Sequence, residues 1–326
     1  MVSPQNEPAF YFPVQDGRYE VKPDLHRLSA DFGNGQVDAK VFQIDKTFAD
    51  YRHNKLAARS ESIKKYICLA GSSQAFPVIN RFMLETLCND YPQYFLFDPT
   101  RRLLECQLTG EKLQFNSDFE LDIEQNRHPL KNTYLNGWDA LAMQVQEDIA
   151  VMKIDPQGQA TLIALHLCAP NHWAAEDKIG KDFIEIHRPV PGMQRINQRS
   201  KAINLAILNK GPYVRFAWGL ATDRRLNHHP VAPANTPAAT WHGRQFSLSD
   251  PQLYLRVERQ TLTGLSHSGL ALFTIRTYFY AVNQLARPYR QQLMEAVSSM
   301  DEPATEYKGL AHDKSAILQW LATISR

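Results

Sequence analysis

The chain has 326 residues, of which 44% are hydrophobic and 21% charged, so it can form one large domain or two modest ones around a substantial core. Its 36 Lys and Arg side chains nearly balance its 34 Asp and Glu side chains. This balance gives no bulk electrostatic field of the kind that gathers nucleic acid or anionic lipid, so neither is expected as a partner.

The N-terminal segment and the cysteines predict the compartment. Residues 1–12 lack the basic and then apolar pattern of a secretory signal, and the most apolar run, near 160–169, is far shorter than a bilayer span. The four cysteines (Cys68, Cys88, Cys106 and Cys168) have no CxxC or CxxCH spacing, which argues against zinc, an iron–sulfur cluster and covalent haem c. Two disulfides in a secreted protein would be the alternative. We expect free thiols and a cytoplasmic location.

Residues 1–134 are predicted to form a mixed α/β region that packs on the core and holds no recognisable catalytic motif. The alternation over Val37–Ile44 predicts a strand, and helical spacing predicts helices at Thr47–Ile67 and Pro77–Leu87. Short strands around turns are predicted at Tyr94–Phe97, Leu103–Leu108 and Lys112–Phe115.

Residues 135–283 give a clearer pattern of elements, and residues 284–326 are predicted to form a helical extension. The first part should hold a helix, a hairpin, several short helices and three strands. The first helix is predicted at Trp138–Gln146, and the hairpin at Asp148–Ile154 and Thr161–Leu167. The short helices are predicted at Trp173–Gly180, Phe183–His187 and Ile196–Asn209, and the three strands at Tyr213–Leu220, Leu253–Leu262 and Leu270–Tyr280. The extension should consist of helices at Pro288–Ser298 and Lys314–Ile324, joined by the linker Met300–Glu306.

This order predicts an α+β fold in which helices gather over one face of an antiparallel sheet. Two strands, a helical cluster and three strands follow one another in PAS sensor domains as well. With the helical cluster acting as a lid, such a sheet encloses a ligand pocket.

Alternating side chains on the last two strands form two polar rows. Arg256, Glu258 and Gln260 share one face of their strand, and Arg276 and Tyr278 share one face of the next. If the strands pair, we expect the two rows to lie side by side. They could form a solvated sheet face with ordinary ion pairs, or a polar pocket wall in which a carboxylate holds a cationic ligand and an arginine polarises bound oxygen.

His187 and Cys168 are the candidate metal ligands. His187 ends a short helical stretch before a rigid Pro-Val-Pro-Gly turn, and such a turn would fix the direction of its imidazole. The other interpretation is a histidine that caps a helix C-terminus. Cys168 is the second choice because a thiolate can ligate haem iron, although a free cysteine is usually a buried core residue.

Several stretches together resemble a known family, the haem-binding α subunits of haem-dependent oxidative N-demethylases (dimethylamine monooxygenase type). The pair LRVERQTL (255–262) and LFTIRTY (272–278) is the most specific, and IHRPVPG (186–192), Gln146-Glu147-Asp148 and Arg215-Phe216-Ala217-Trp218 add to it. The resemblance covers residues 135–283 well. The chain departs from the family pattern over 168–173, which leaves the substrate open.

The resemblance implies a PAS-like fold, haem b, and NADPH-driven, O₂-dependent removal of a methyl group from a small amine. Electrons would come from a separate FMN and [2Fe–2S] reductase subunit. His187 would be the axial ligand, since haem PAS domains carry their histidine on the helix before the three closing strands.

The polar and aromatic residues then receive roles in that reaction. Glu258 would hold the ammonium, Arg276 would polarise oxygen and Tyr278 would relay a proton. The sequence also contains candidate cofactor contacts, namely Arg256 and Arg259 for the haem propionates and Trp218 for the pocket wall.

Two functions of other classes fit the same residues. A non-catalytic PAS-type sensor of haem or a small molecule would share the fold, although the C-terminal helices lack the sustained heptads of an output module. A metal-free structural protein would leave the polar rows as surface.

Overall fold

The structure is a computed structural model that describes residues 2–71, 73–125, 133–243 and 245–325. Within these ranges the chain forms a mixed α+β fold with a large antiparallel sheet, a small second sheet and several helices, which confirms the predicted α+β class. No helix in the described part of the chain is long and apolar enough to cross a membrane.

The elements in chain order are labelled as follows. The strands are β1 (His26–Arg27), β2 (Ile67–Leu69), β3 (Phe95–Asp98), β4 (Leu103–Cys106), β5 (Lys112–Phe115), β6 (Leu121–Gln125), β7 (Asp148–Ile154), β8 (Ala160–His166), β9 (Tyr213–Ala221), β10 (Tyr254–Leu265) and β11 (Leu270–Ala281). The helices are α1 (Phe48–Tyr66), α2 (Phe76–Asp90), α3 (Gly137–Ala142), α4 (Phe183–His187), α5 (Gln194–Gln198), α6 (Ser200–Lys210), α7 (Ala238–His242), α8 (Arg287–Ser299), α9 (Glu302–Tyr307) and α10 (Lys314–Ile324).

The large sheet has the strand order β1-β9-β10-β11-β7-β8-β2, and β3 to β6 form the second sheet. The predicted hairpin is β7–β8, and the three later strands pair in sequence as β9–β10–β11, so these predictions are confirmed. Strands β1 and β2, which the sequence did not predict, attach the N-terminal region to both edges of this sheet.

Two further differences from the sequence prediction have physical causes. Val37–Ile44 is not a strand, because Asp38 and Gln43 turn their side chains inward to buried hydrogen bonds with Tyr11. The segment begins instead with a short 3₁₀ helix, Gly35–Ala39. The predicted linker 300–306 contains most of α9, whose first turn is capped by the Asp301 carboxylate.

The large sheet has two differently covered faces. On one, which we call the helix-covered face, Ile186 of α4 packs near Phe273, and Ile207 of α6 packs near Leu262 and Ala271. On the other, which we call the N-terminal face, the segments before α2 and the helices after β11 provide the cover. Because side chains alternate along a strand, each residue of β9, β10 and β11 faces one cover or the other.

Candidate functional site

The register of β10 and β11 separates the two polar rows. Glu258 is paired with Thr277, and Arg276 is paired with Arg259. Since directly paired residues share a face, Arg256, Glu258 and Gln260 lie on the helix-covered face, whereas Arg276 and Tyr278 lie on the N-terminal face. The expectation that the two rows lie side by side is therefore wrong.

The interpretation of these rows as a solvated sheet face is also wrong. Arg256 and Arg276 are among the largest enclosed side chains of the protein, with exposed fractions of 1% and 0%, and Tyr278 is buried too. Glu258 is half-buried. Guanidinium groups are costly to enclose without partners, so the surroundings of each one define what it can do.

His187 ends α4 and holds one fixed tautomer. The helix starts with a capping box between Asp182 and Glu185, and the His187 Nδ1 lies 2.7 Å from the carbonyl oxygen of Phe183. A carbonyl only accepts, so Nδ1 carries the proton and the lone pair is on Nε2. None of the residues that the structure describes forms a hydrogen bond with Nε2.

Burial keeps this imidazole neutral. Burial lowers the pKa of His187 to about 4. The nearby positive charges of Arg215 and Lys178 also lower this pKa, whereas the hydrogen bond to the Phe183 carbonyl raises it. A neutral imidazole with its lone pair on Nε2 is the form that ligates a metal, and a hydrogen bond from the other ring nitrogen orients it. The helix directly before β9 is α6, which contains no histidine, so His187 lies two helices before that position.

A row of polar side chains extends along the helix-covered face, and Arg215 in this row lies close enough to His187 for its charge to lower the pKa of that imidazole. Arg215 of β9 donates from Nη1 to Gln260 Oε1 (3.1 Å), and Gln260 Nε2 donates to Glu258 Oε2 (3.1 Å). The other Glu258 oxygen lies 3.6 Å from Nη2 of Arg256. The Nε atoms of Arg215 and Arg256 are buried without a hydrogen-bond partner among the described residues. They are donors directed into the interior and available to an acceptor.

Sequence reasoning missed Arg215 as a site residue. It stands inside the Arg-Phe-Ala-Trp stretch, and strand parity alone would have grouped it with Ala217 and Gly219. Its position beside His187 depends on the path of α4, which no local pattern in the sequence predicts.

Small residues leave space next to this row. Gly219, opposite Arg256 on the same face, is buried, yet a Cβ atom built on it would meet nothing within 4 Å. Ala217, opposite Glu258, is only partly covered. Side chains of Met152 and Phe273 border the same face and are also only partly buried. The strand surface is thus low and partly apolar between the polar row and the helices.

The residues on the N-terminal face belong to a separate, enclosed network. Arg276 donates to Asp45 Oδ2 (2.7 Å) and stacks on the ring of Tyr51, with its Cζ 3.7 Å from the ring centroid. Tyr278 donates to the side chain of Gln43, and burial raises its pKa well above the usual value. Arg259 donates to two backbone carbonyls, those of Asp38 and Lys40.

Trp218 and Cys168 also lie away from the row beside His187. Trp218 is paired with Val257 on the N-terminal face and makes an edge contact with Tyr19. Cys168 is enclosed among core side chains, 3.8 Å from His166 Nδ1. Burial raises the pKa of its thiol, which disfavours the thiolate that an iron ligand requires. All four cysteines are unpaired.

Two other features lie outside this site. No group of three or more His, Cys, Asp or Glu side chains within the described ranges could hold a metal ion by itself. A surface groove of about 760 Å³ lies between α2 and the small sheet, lined by apolar residues such as Leu84, Leu96 and Phe119. It contains none of the predicted site residues.

The chain also matches a known protein family. The family model described as haem-dependent oxidative N-demethylase, alpha subunit-like matches residues 35–318, which is well over half of the chain. The match begins after β1 and includes the helix-covered face together with α1 and α8, which help to cover the N-terminal face.

Proposed function

Because the chain belongs to the haem-dependent oxidative N-demethylase, alpha subunit-like family, we propose that it is the haem-binding oxygenase subunit of an NADPH-dependent oxidative N-demethylase. Its substrate would be a small alkylamine. A separate reductase subunit with FMN and a [2Fe–2S] cluster would supply the electrons, because this sequence has neither a GxGxxG motif nor cluster-type cysteine spacing.

The PAS-like part of the proposal concerns residues 135–283. The sheet order β9-β10-β11-β7-β8 and the helices α4–α6 over one face support it. Residues 1–134 would pack on this domain, as β1, β2 and α1 do, and residues 284–326 would close the other side through α8 and α10.

The side chains on the helix-covered face fit haem b. His187 offers a neutral imidazole with an unbonded Nε2 among the described residues. The space over Gly219 and the partly buried Ala217, Met152 and Phe273 provide a low apolar surface for a planar ring. The unpartnered Nε of Arg256 is a buried donor suited to a propionate. His187 is the observation that carries the proposal.

When bound, haem would supply the activation of O₂, and the protein side chains would bind and orient the amine. Glu258 is the carboxylate of the row and would attract the ammonium form of the substrate. Arg215, whose buried Nε has no partner in the described structure, would donate a hydrogen bond to an oxygen that gains negative charge. Gln260 joins the two side chains and keeps their distance fixed.

The enclosed residues on the N-terminal face receive supporting roles. Arg276, Tyr278 and Arg259 are bonded to the segment 38–47, and we propose that they fasten this segment to the back of the sheet. Trp218, which lies on the same N-terminal face, would have a supporting role of this kind as well. These supporting roles replace the expectation that Arg276 and Tyr278 act at the bound oxygen and that Arg259 binds a haem propionate. The sheet lies between these side chains and His187.

Amine-dependent spectroscopy and turnover test the function. The haem-loaded protein should show a shift of the Soret band on addition of dimethylammonium or a similar small amine. With NADPH and a supplied flavin and [2Fe–2S] reductase, it should release formaldehyde. A protein whose spectrum responds to no amine, and which releases no formaldehyde, would contradict the proposal.

A further inference from the structure

Besides Glu258, its neighbour in the polar row, Arg256 contacts residues of two loops. Its Nη2 donates to the carbonyl oxygen of Ala169 (2.8 Å), and its Nη1 lies 3.4 Å from both the carbonyl oxygen of Leu226 and Nδ1 of His228. These contacts tie the guanidinium to two loops at the end of the helix-covered face.

The contact with His228 fixes the tautomer of that histidine. An arginine can only donate, so His228 Nδ1 must accept. On the other side of the ring, Nε2 lies 2.9 Å from Oδ1 of Asp223, and a carboxylate at neutral pH can only accept, so Nε2 must carry the proton. Asp223 thus orients the imidazole, and the imidazole presents its lone pair to Arg256.

We propose that Asp223 and His228 are positioning residues that fix the Arg256 guanidinium, and through it the Glu258 carboxylate, at the wall of the pocket. The geometry by itself argues for the fixing of Arg256. Its consequence for the amine rests on the proposed function, since Glu258 is the residue that we assign to the ammonium group.

The arrangement depends on a neutral His228. A proton on Nδ1 would place an N–H group against the N–H of Arg256 and two cations side by side. Burial lowers the pKa of His228, and the charges of Arg256 and Arg225 lower it further, whereas Asp223 acts in the opposite direction. The ring of His172 stacks on His228 with centroids 5.1 Å apart. The alignment is therefore expected to persist at neutral pH and to be lost in acid.

Nitrogen-15 NMR of histidine-labelled full-length protein tests the geometry without any substrate. At neutral pH, His228 should show a protonated Nε2 and an unprotonated Nδ1. His229→Gln provides a control and an assignment aid, because this neighbouring buried histidine bonds to Val231 and not to Arg256. A doubly protonated His228, or one protonated on Nδ1, overturns the inference.

A pair of variants separates positioning from simple packing. His228→Asn retains an acceptor near the Nδ1 position, whereas His228→Leu removes it. Exchange of the Arg256 guanidinium protons should become about tenfold faster in His228→Leu, as for the loss of one hydrogen bond to a charged group, and should stay near the wild-type rate in His228→Asn. Equal exchange in all three proteins overturns the inference.

The amine arm then tests the link to function. If the exchange result is as expected, His228→Leu should raise the KM for the amine, while kcat changes little, and His228→Asn should recover the wild-type KM. An unchanged KM in His228→Leu overturns the consequence for Glu258. If no amine binds to any of the proteins, the proposed function fails, and the NMR result still decides the positioning of Arg256.

Discussion

Glu258 and Arg276 lie on opposite faces of one sheet, because Glu258 is paired with Thr277 and Arg276 with Arg259. One pocket cannot be lined by both side chains. On the helix-covered face, Arg215 donates to Gln260, which donates to Glu258, and the charge of Arg215 lowers the pKa of the nearby His187. On the N-terminal face, Arg276 forms an ion pair with Asp45. We therefore propose ligand binding for the helix-covered face and structural support for the N-terminal face.

Removal of the Arg276 guanidinium should reduce stability. Arg276→Met would leave the Asp45 carboxylate, which is 6% exposed, without its cation, and breaking a buried pair in this way costs about 3–5 kcal/mol. The free energy of unfolding in urea measures the loss. Adding Asp45→Asn should recover part of it, because the unpaired charge is then gone. An Arg276→Met protein as stable as the wild type, but without amine turnover, would place Arg276 in the pocket after all.

Replacement of His187 should remove the axial ligand. His187→Ala should bind haem weakly or with an altered spin state, and added imidazole should partly restore the wild-type spectrum, since it can occupy the vacated space. His267→Ala is the control, because His267 is exposed in the turn between β10 and β11. If His187→Ala keeps the wild-type spectrum, the ligand is another residue. A ferrous–CO band at the thiolate position that Cys168→Ser abolishes would identify that residue as Cys168.

The charge of Glu258 should matter for the amine and not for haem. Glu258→Gln retains the size of the side chain and its bond to Gln260, so the haem content should not change. Ammonium binding should weaken by about 2–5 kcal/mol, the range for loss of one partner of a buried charge pair. Titration of the Soret band with the amine measures it, with the exposed Glu302→Gln as a control. Equal affinities in the two variants would show that Glu258 does not contact the amine.

The space over Gly219 gives a steric test of where the ring lies. A Cβ at this position meets no protein atom within 4 Å, so Gly219→Ala should fold with a thermal midpoint close to that of the wild-type apoprotein. Its haem affinity should fall, because the new side chain occupies the proposed haem space. Gly264→Ala is the contrasting variant, since its Cβ would lie 2.2 Å from the Leu208 carbonyl oxygen and should destabilise the fold. Unchanged haem affinity in Gly219→Ala would place the ring elsewhere.

The sequence predicted the strands of the site but not their register. Alternation correctly grouped Arg256 with Glu258 on one face of β10, and Arg276 with Tyr278 on one face of β11. Which group meets which depends on the pairing across the turn at 266–269, where a shift of one residue exchanges the faces. The connection between β10 and β11 ends at Gly269, which has a φ of 67°, and this turn geometry was not visible in the alternation of either strand.

Long-range contacts account for two further errors. The alternation of Val37–Ile44 is typical of a strand, but the buried partners of Asp38 and Gln43 come from Tyr11 and Tyr278. These lie far away in the sequence, and no local pattern could predict them. Arg215 was missed for the same reason. It becomes a candidate site residue only through Gln260 and His187, which lie far from it or on another element of the chain.

The central claim is that this chain binds haem non-covalently through His187 on the helix-covered face. The most direct test is an absorption spectrum of the purified protein after expression with a haem precursor, followed by extraction with acid–acetone. We predict a Soret band that the extraction removes and that His187→Ala weakens or shifts. A protein that remains colourless, and stays so when titrated with hemin, would contradict the account.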